Sequence, residues 1–298
     1  MQMMIAHDTG IIVGDIIMRL LLCLSAAALA LAACTPASET DTAAAADAMA
    51  AAAADAMAGA APVEPAAARA ADPMPAAIEA ALADASRPEE DRLLDVARHP
   101  AEVLAFAGLE HGWQVADIVP GGGYYARVLS TAVGDEGHVH AFNPGWLAEQ
   151  FADANAALGE LADSRSNMSH VVGPLEGFDA AIDAPLDAVF MVLFYHDTAY
   201  SGTDRAAMNQ AIFNALRPGG VYIVIDHHAP AGSGVTFVND THRIDAELVR
   251  DEVTAAGFEL DGDSDMLANP ADDRTGSVFA PDIRRHTDRF VYRFRKPS

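Results

Sequence analysis

Residues 115–123 read Val-Ala-Asp-Ile-Val-Pro-Gly-Gly-Gly, a short apolar run that ends in a glycine turn. Residues 124–133 follow with the apolar spacing of a helix. A strand, a glycine turn and a helix together make a ligand site, because glycine lets a ligand approach the backbone and the helix N-terminus offers unpaired N–H groups. This stretch therefore predicts a strand of a parallel sheet and a nucleotide-type site at its end.

The chain on both sides of this stretch alternates short apolar runs with longer helical stretches. Apolar runs cover 137–142, 169–172, 186–194, 220–225, 258–260 and 289–294. Helical spacing is found over 75–83, 89–109, 145–162, 205–216 and 244–256, with Pro100 breaking the second of these. This alternation is typical of an α/β fold in which helices cover both faces of a parallel sheet. The long polar connection before the last run predicts an antiparallel pair at the sheet edge.

The glycine turn and the features that follow it resemble class I S-adenosylmethionine-dependent methyltransferases, over about residues 89–296. Asp117 stands at the acid position of the family's first motif, and Asn143 stands where the family usually has an acid for the ribose hydroxyls. Val119 occupies the first of three glycine positions. The resemblance implies a Rossmann-like sandwich with a mostly parallel seven-stranded sheet and an antiparallel last strand. It also implies the cofactor S-adenosyl-L-methionine, held by Asp117, Gly121, Gly123, Tyr125 and Asn143.

Later motifs extend the resemblance. Residues 186–197 look like the family's fourth strand with its loop, and 216–220 look like the turn into the fifth strand. The stretches 226–227, 241–245 and 269–273 are similar to an exported subgroup of the family.

Polar side chains at the predicted strand ends supply candidates for chemistry. Methyl transfer from a sulfonium needs positioning and sometimes a base, and ligands of open α/β sheets lie beyond the carboxyl ends of the strands. His196 and His227 are the predicted catalytic residues, as alternative bases; each is also interpretable as a hydrogen-bonded loop histidine. Tyr124 and Tyr125 are equally interpretable as packing residues at a helix start.

A metal interpretation competes for the same strand ends. The residues that it would use are His196, Asp197, Asp226, His227, His228 and His242. Because nothing in the sequence fixes their separations and no His-Glu-x-x-His spacing occurs, we assign no metal site. The alternating acids at 261–265 resemble the start of a calcium loop, but Met266 stands where its glycine is needed, so we interpret them as a solvated acidic turn.

The N-terminal region predicts export and a lipid anchor. Arg19 precedes an apolar run over 20–33, which is too short to span a bilayer and is typical of a signal peptide. The last residues of that run and Cys34 resemble the lipobox of bacterial lipoproteins, which implies cleavage before Cys34 and its lipidation. An ordinary signal cleavage nearby is the alternative. Residues 1–17 do not fit a signal, so we expect translation to start at Met18.

The predicted organisation is a signal over 1–33, a tether over 34–75 and a methyltransferase-like domain over 76–298. The tether is rich in alanine and repeats the pattern of 44–50 at 52–58, without a wide apolar face to bury. Outside Cys23 in the signal and Cys34 the chain has no cysteine, which excludes thiol catalysis and cysteine-ligated zinc in the folded domain. We expect a lipoprotein of the bacterial envelope that faces the periplasm.

The net charge of the chain argues against one class of partner. The chain carries 43 acids against 18 bases, a formal charge of -25, and its arginines are scattered without a basic run. This field repels phosphate backbones, so nucleic acid is not expected as a partner.

The sequence leaves two hypotheses for the function. The first hypothesis is a methyltransferase acting on a small molecule or an envelope component. The second is a binding or scaffold lipoprotein that keeps the fold without turnover.

Overall fold

The computed structural model describes residues 75–183 and 185–298. The predicted signal, Cys34 and the tether up to residue 74 lie outside the described residues. Within these two ranges, no helix combines the length and the apolarity that crossing a membrane requires.

Three helices lead into the sheet: α1 (Ala76–Ala83), α2 (Glu89–Arg98) and α3 (Pro100–Ala107). His99 separates the last two in a left-handed conformation with φ 45°. Pro100 then starts α3, where its missing N–H costs nothing. The break predicted at Pro100 is confirmed.

Strands and helices then alternate. The first half contains β1 (Gln114–Ile118), α4 (Tyr124–Val133), β2 (His138–Pro144), α5 (Gly145–Gln150), α6 (Ala152–Asp163), β3 (Met168–Gly173) and α7 (Phe178–Ala181). The second half contains β4 (Leu186–Val192), α8 (Tyr195–Thr198), α9 (Arg205–Ala215), β5 (Leu216–His227), α10 (Val238–Thr241), α11 (Ala246–Ala255), β6 (Glu259–Ser264) and β7 (Arg289–Arg295).

The seven strands form one sheet in the order β3-β2-β1-β4-β5-β7-β6. Strands β1 to β5 pair in parallel, whereas β7 pairs antiparallel with both β5 and β6. The chain order reverses between β1 and β4, so the crevice beyond their carboxyl ends is the topological switch point of the sheet. The predicted fold class, including the antiparallel last strand, is confirmed.

Both faces of the sheet are buried, which explains the continuous apolar runs. Along β4, Val189 and Met191 pack into one core with Phe142 and Tyr222. Phe190 points to the opposite face and packs into a second core with Leu129. A strand covered on both faces has no solvent-facing positions and therefore shows no polar alternation.

Two sequence expectations are wrong. The single helix expected over 145–162 is divided at Phe151, which stands between α5 and α6 with φ -120°. The acidic stretch 261–265, interpreted as a solvated turn, mostly belongs to edge strand β6. Arg293 and Arg295 on the neighbouring strand explain this, because both form ion pairs with Asp261 and so neutralise the acid within the sheet.

Candidate functional site

Backbone strain marks the carboxyl edge of the two central strands. Val119 follows β1 and Leu193 follows β4, and each adopts φ 58°. The strands lie side by side with Ile118 paired to Met191. Val119 and Leu193 therefore lie at nearly the same position along the carboxyl edge of the sheet. Apolar side chains rarely adopt this left-handed conformation, which costs of order 1–3 kcal/mol and concentrates at functional sites.

The glycine turn beside Val119 is open at one glycine and covered at another. Gly121 has φ 58°, and a Cβ built on it would meet nothing within 4 Å. Gly123 has φ 85°, and a Cβ there would lie 2.4 Å from Cδ2 of Leu161 and 2.8 Å from Nη1 of Arg127. Of the two predicted cofactor-binding glycines, Gly121 therefore borders open space, whereas Gly123 is packed under α6.

The other three predicted cofactor residues differ in accessibility. Asp117 is buried within β1, its Oδ2 has no hydrogen-bond partner in the described ranges, and burial raises its pKa to about 7. The Tyr125 hydroxyl donates to the carbonyl of Arg98 at 3.2 Å. At the end of β2, Nδ2 of Asn143 donates to Oδ1 of Asn155 at 2.9 Å. Asp117 and Tyr125 thus support the turn from beneath, and Asn143 lies at its rim.

His196, on α8 just beyond β4, is oriented by a buried carboxylate. Its backbone N–H donates to Oδ2 of Asp226 and its ring Nδ1 to Oδ1, both at 2.8 Å. Its Nε2 lies 3.2 Å from Nδ1 of His242 and 3.2 Å from Oδ1 of Asp197. Burial opposes a charge on this ring, but Asp226 and Asp197 outweigh it and raise the His196 pKa to about 10. In the absence of another cation, the ring is protonated at neutral pH.

His227, at the end of β5, has the opposite electrostatic environment. Its Nδ1 lies 2.6 Å from Oγ1 of Thr287, and its ring centre is 5.9 Å from that of His196. Burial, reinforced by the charges of His196 and Arg289, lowers the His227 pKa well below its usual range. His227 is therefore neutral at physiological pH. The two predicted bases come together, in opposite protonation states.

The six residues of the metal interpretation separate into groups. His196, Asp197 and His242 bring one ligand atom each to within 4.8 Å of one another, and Asp226 lies behind His196. The ring of His228 packs instead against Phe290, with ring centres 5.2 Å apart. Three of the six candidates thus form one cluster.

Three cavities follow the carboxyl edge of the sheet. The first, about 600 Å³, lies at the ends of β2 and β3 and shares Trp146 with the second, about 440 Å³. The second is lined by His227 and by His196, Asp197 and His242, which are called the histidine cluster below. The third, about 250 Å³, shares Leu193, His227, Val278 and Phe279 with the second and is otherwise lined from α2, the connection before β7 and the first residue of β7. The row therefore runs along the crevice of the switch point.

Sequence reasoning missed the third cavity's charged residues. Its wall contains Arg98, Arg284, Arg285 and Arg289. These arginines come from α2, from the β6–β7 connection and from the first residue of β7, so the four form no single run in the sequence. In the sequence Asp282 and Asp288 stand close to three of them, so no signal along the chain identified the four as unpaired.

No protein-family model and no curated protein matches the chain. Among solved structures, it is similar to a SAM-dependent methyltransferase from Aquifex aeolicus, at 18% identity and TM-score 0.47 over 70% of this chain and 98% of that one. It is also similar to an arsenic(III) S-adenosylmethionine methyltransferase from Chlamydomonas reinhardtii, at 19% identity and TM-score 0.47 over 76% and 75%. Fibrillarin from Aeropyrum pernix, with natively bound S-adenosyl-L-methionine, matches at 12% identity and TM-score 0.44 over 65% and 73%.

Proposed function

We propose that this chain is an exported, membrane-anchored S-adenosylmethionine-dependent methyltransferase that acts on a small molecule or an envelope component. The observation that carries the proposal is the pair Val119 and Leu193, two apolar residues held in left-handed conformations on neighbouring strands at the switch point. Such strain persists only where the surrounding structure enforces it. Here it lies between the glycine turn and the cavity that contains both predicted bases.

The residues at the crevice fit the cofactor in part. Open space beside Gly121 admits a ligand to the backbone, and the 600 Å³ cavity past Asn143 has room for the adenosine part. Oδ1 of Asn143 has no hydrogen-bond partner among the described residues and is thus available as an acceptor. S-adenosylmethionine supplies a methyl group on an already activated sulfonium, so the protein has mainly to position the acceptor.

Of the two predicted bases, His227 is assigned the proton-accepting role. Both ring nitrogens of His196 are engaged, by Asp226 on one side and by His242 and Asp197 on the other. Nε2 of His227 has no partner among the described residues, while Thr287 holds its Nδ1. His227 is neutral and has one free nitrogen beside a cavity, so it can accept a proton from the acceptor, whereas the protonated ring of His196 cannot.

The anchor part of the proposal depends on the sequence alone. A lipidated Cys34 would place the domain at the membrane surface. The lipobox resemblance implies more than one acyl chain on this cysteine, which is what stable anchoring needs. Metabolic labelling with a palmitate analogue should mark the wild-type chain and leave the Cys34→Ser variant unlabelled. Equal labelling of both would contradict the anchor without affecting the enzymatic proposal.

One observation favours the alternative of a non-catalytic binding or scaffold lipoprotein. Leu161 and Arg127 occupy the space beside Gly123, where the first motif of the family would lie against its ligand. An exported protein also has limited access to a cytosolic zwitterion that does not cross lipid unaided. If this alternative is correct, Leu161→Ala should not create measurable affinity for S-adenosylmethionine.

Calorimetric titration of the purified chain with S-adenosylmethionine tests the proposal. We expect saturable binding in the wild type and its loss in Gly121→Val. The matched control is Gly112→Val, because Gly112 also has a positive φ, 84°, with nothing within 4 Å of a built Cβ, but it precedes β1 at the other end of the sheet. Absence of heat at millimolar ligand, or equal loss in both variants, would overturn the proposal.

A further inference from the structure

Unlike most arginines of the described ranges, those of the third cavity form no ion pair with a carboxylate. Fifteen arginines lie in the described ranges, and ten of them form an ion pair with a described carboxylate. Four of the remaining five line this one cavity: Arg98, Arg284, Arg285 and Arg289. In a chain with a net charge of -25, acids to pair with them are abundant. Their convergence without an ion pair to any described carboxylate therefore requires an explanation.

Two of the four line the inner part of the cavity. Arg289 is 8% exposed, and the only hydrogen bond of its side chain within the described ranges runs from Nε to the carbonyl of Thr287 at 3.3 Å. The guanidinium of Arg98 lies 4.3 Å from the ring centre of Tyr124, which holds it without neutralising it. Burial and the nearby charge of Arg98 lower the pKa of Arg289, so the two cations oppose each other. Arg284 and Arg285 are exposed at the rim.

We propose that this cavity binds the anionic group of a small ligand, a carboxylate or a phosphate, next to His227. A guanidinium pairs with either group through two parallel hydrogen bonds, and a buried cation without a partner gains most from such a pair. The other lining residues include Leu94, Ala97, Val278 and Phe279, so the ligand also carries an apolar part.

The anion site deepens the proposed function, since it assigns the methyl acceptor to the class of small acids. Leu193 and His227 line both this cavity and the one with the histidine cluster. An acid held by Arg98 and Arg289 would therefore present its remaining groups to Nε2 of His227. The site itself is tested without S-adenosylmethionine, so its failure is distinct from failure of the proposed function.

The experiment titrates the purified full-length chain with inorganic phosphate and, separately, with succinate. Succinamide and sodium chloride at equal ionic strength are the uncharged and nonspecific controls. We expect saturable binding of one or both anions, which Arg98→Gln weakens at least tenfold and the double substitution Arg284→Gln with Arg285→Gln weakens without lowering Tm. Preference for phosphate would indicate a phosphate ester, and preference for succinate a carboxylic acid.

A matched control separates this site from general charge effects. Arg165 is the fifth unpaired arginine, held by Ser130 and Thr131 away from the cavity, so Arg165→Gln removes the same charge. Its anion affinity should stay within twofold of the wild type, and anion binding should also survive Gly121→Val. The proposal is overturned if neither anion binds saturably, or if Arg98→Gln and Arg165→Gln weaken binding equally.

A second inference follows from a separate observation, the distances between the side-chain atoms of the histidine cluster. Nε2 of His196, Nδ1 of His242 and Oδ1 of Asp197 lie 3.2, 3.2 and 3.5 Å apart in pairs. Ligands at about 2.0–2.1 Å from a tetrahedral zinc ion are separated by about 3.3 Å. Asp226, fully buried, fixes the other nitrogen of His196, as carboxylates commonly do behind metal-ligating histidines.

We infer that His196, Asp197 and His242 form a three-ligand site for a divalent cation of the zinc type. The cluster lines the 440 Å³ cavity, which leaves a fourth position for water or a ligand, as in catalytic zinc sites. The expectation of no metal site came from sequence separations alone, which cannot place residues 196 and 242 together.

Cobalt(II) and zinc(II) added to the metal-free, full-length chain test this site. Cobalt should give the visible absorption of a tetrahedral complex, and zinc should abolish it by competition. His242→Gln, on a residue 28% exposed, should lower zinc affinity at least tenfold, whereas His111→Gln, at an exposed histidine elsewhere, should not. Equal zinc affinity in both variants, or a cobalt spectrum retained in His242→Gln, would overturn the inference.

Discussion

The glycine turn and the opposite wall of the crevice are built in different ways. The turn is a continuous segment, 119–123, whose shape is set by positive φ angles at Val119, Gly121 and Gly123. The opposite wall joins side chains from α2, β5, the end of α10, the β6–β7 connection and the start of β7. The buried guanidinium of Arg243 forms hydrogen bonds to several of these parts.

The hydrogen bonds of the Arg243 guanidinium connect the segments of the opposite wall. Its Nε donates to the carbonyl of Gly276 at 2.7 Å, and its Nη1 donates to the carbonyl of His228 at 3.0 Å. Its Nη2 pairs with Asp272, whose Oδ2 also accepts the backbone N–H of Asp288 at 2.6 Å. One side of the crevice thus depends on backbone conformation, and the other on a buried polar network that positions His242 and the arginines.

The largest expected effect comes from breaking that network. Asp272→Ala would leave the guanidinium of Arg243, 0% exposed, buried without its carboxylate. We expect a loss of about 3–5 kcal/mol in the free energy of unfolding, measured by urea denaturation. Asp273→Ala, at the exposed neighbouring acid, should have a far smaller effect. Similar losses in the two variants would show that Arg243 does not need its buried partner.

An effect that depends on pH, and that approaches the same size only near pH 7 and above, is expected beneath the glycine turn. Burial raises the pKa of Asp117 to about 7, above its usual value of 3.8. Between these two pH values the native state holds a proton that the unfolded state has released, so stability falls as the pH rises, by at most about 1.4 kcal/mol per pH unit. Above pH 7 the contribution is constant.

Asp117→Asn removes this titration and should be more stable than the wild type at pH 8. Urea denaturation at a series of pH values from 4 to 8 measures the difference between the two proteins. The curves should converge towards pH 4. If they run parallel across this range, Asp117 is ionised in the native state, and the turn does not rest on a neutral acid.

The smallest effect is expected at Val119. Glycine relieves the strain of φ 58°, but it also makes the unfolded chain more flexible, so we expect Val119→Gly to change the free energy of unfolding by less than about 1 kcal/mol. Val115→Gly, at a fully buried and extended position of the same strand, should cost more because it also removes core packing. Equal losses in urea denaturation would show that Val119 is a packing residue rather than a strained one.

The fold could be predicted because its signals are local. The strand and turn at 115–123, the helix start at Pro100 and the apolar runs all depend on neighbouring residues, and each is present in the structure. The prediction at 261–265 was wrong for the opposite reason. Asp261 is neutralised by Arg293 and Arg295, which are more than thirty positions away and become neighbours only through strand pairing.

The candidate site could be predicted only as a set of residue types. His196 and His227 were identified from their positions at strand ends, but their protonation states depend on burial, on Asp226 beside His196 and on Arg289 near His227. The clustering of His242 with Asp197 depends on how α8 packs against the end of α10. Hydrogen bonding and desolvation act over a few ångströms in space, so separation along the chain carries no information about them.

The sequence by itself determined the α/β alternation, the position of the glycine turn and the acidic charge, because each is a property of adjacent residues or of composition. Only the tertiary structure decided that Gly123 is covered while Gly121 is open, that three metal-type ligands meet at His196, and that four unpaired arginines share a cavity. The physical reason is that charge pairing and burial are set by distances between elements, which the fold creates and no single segment contains.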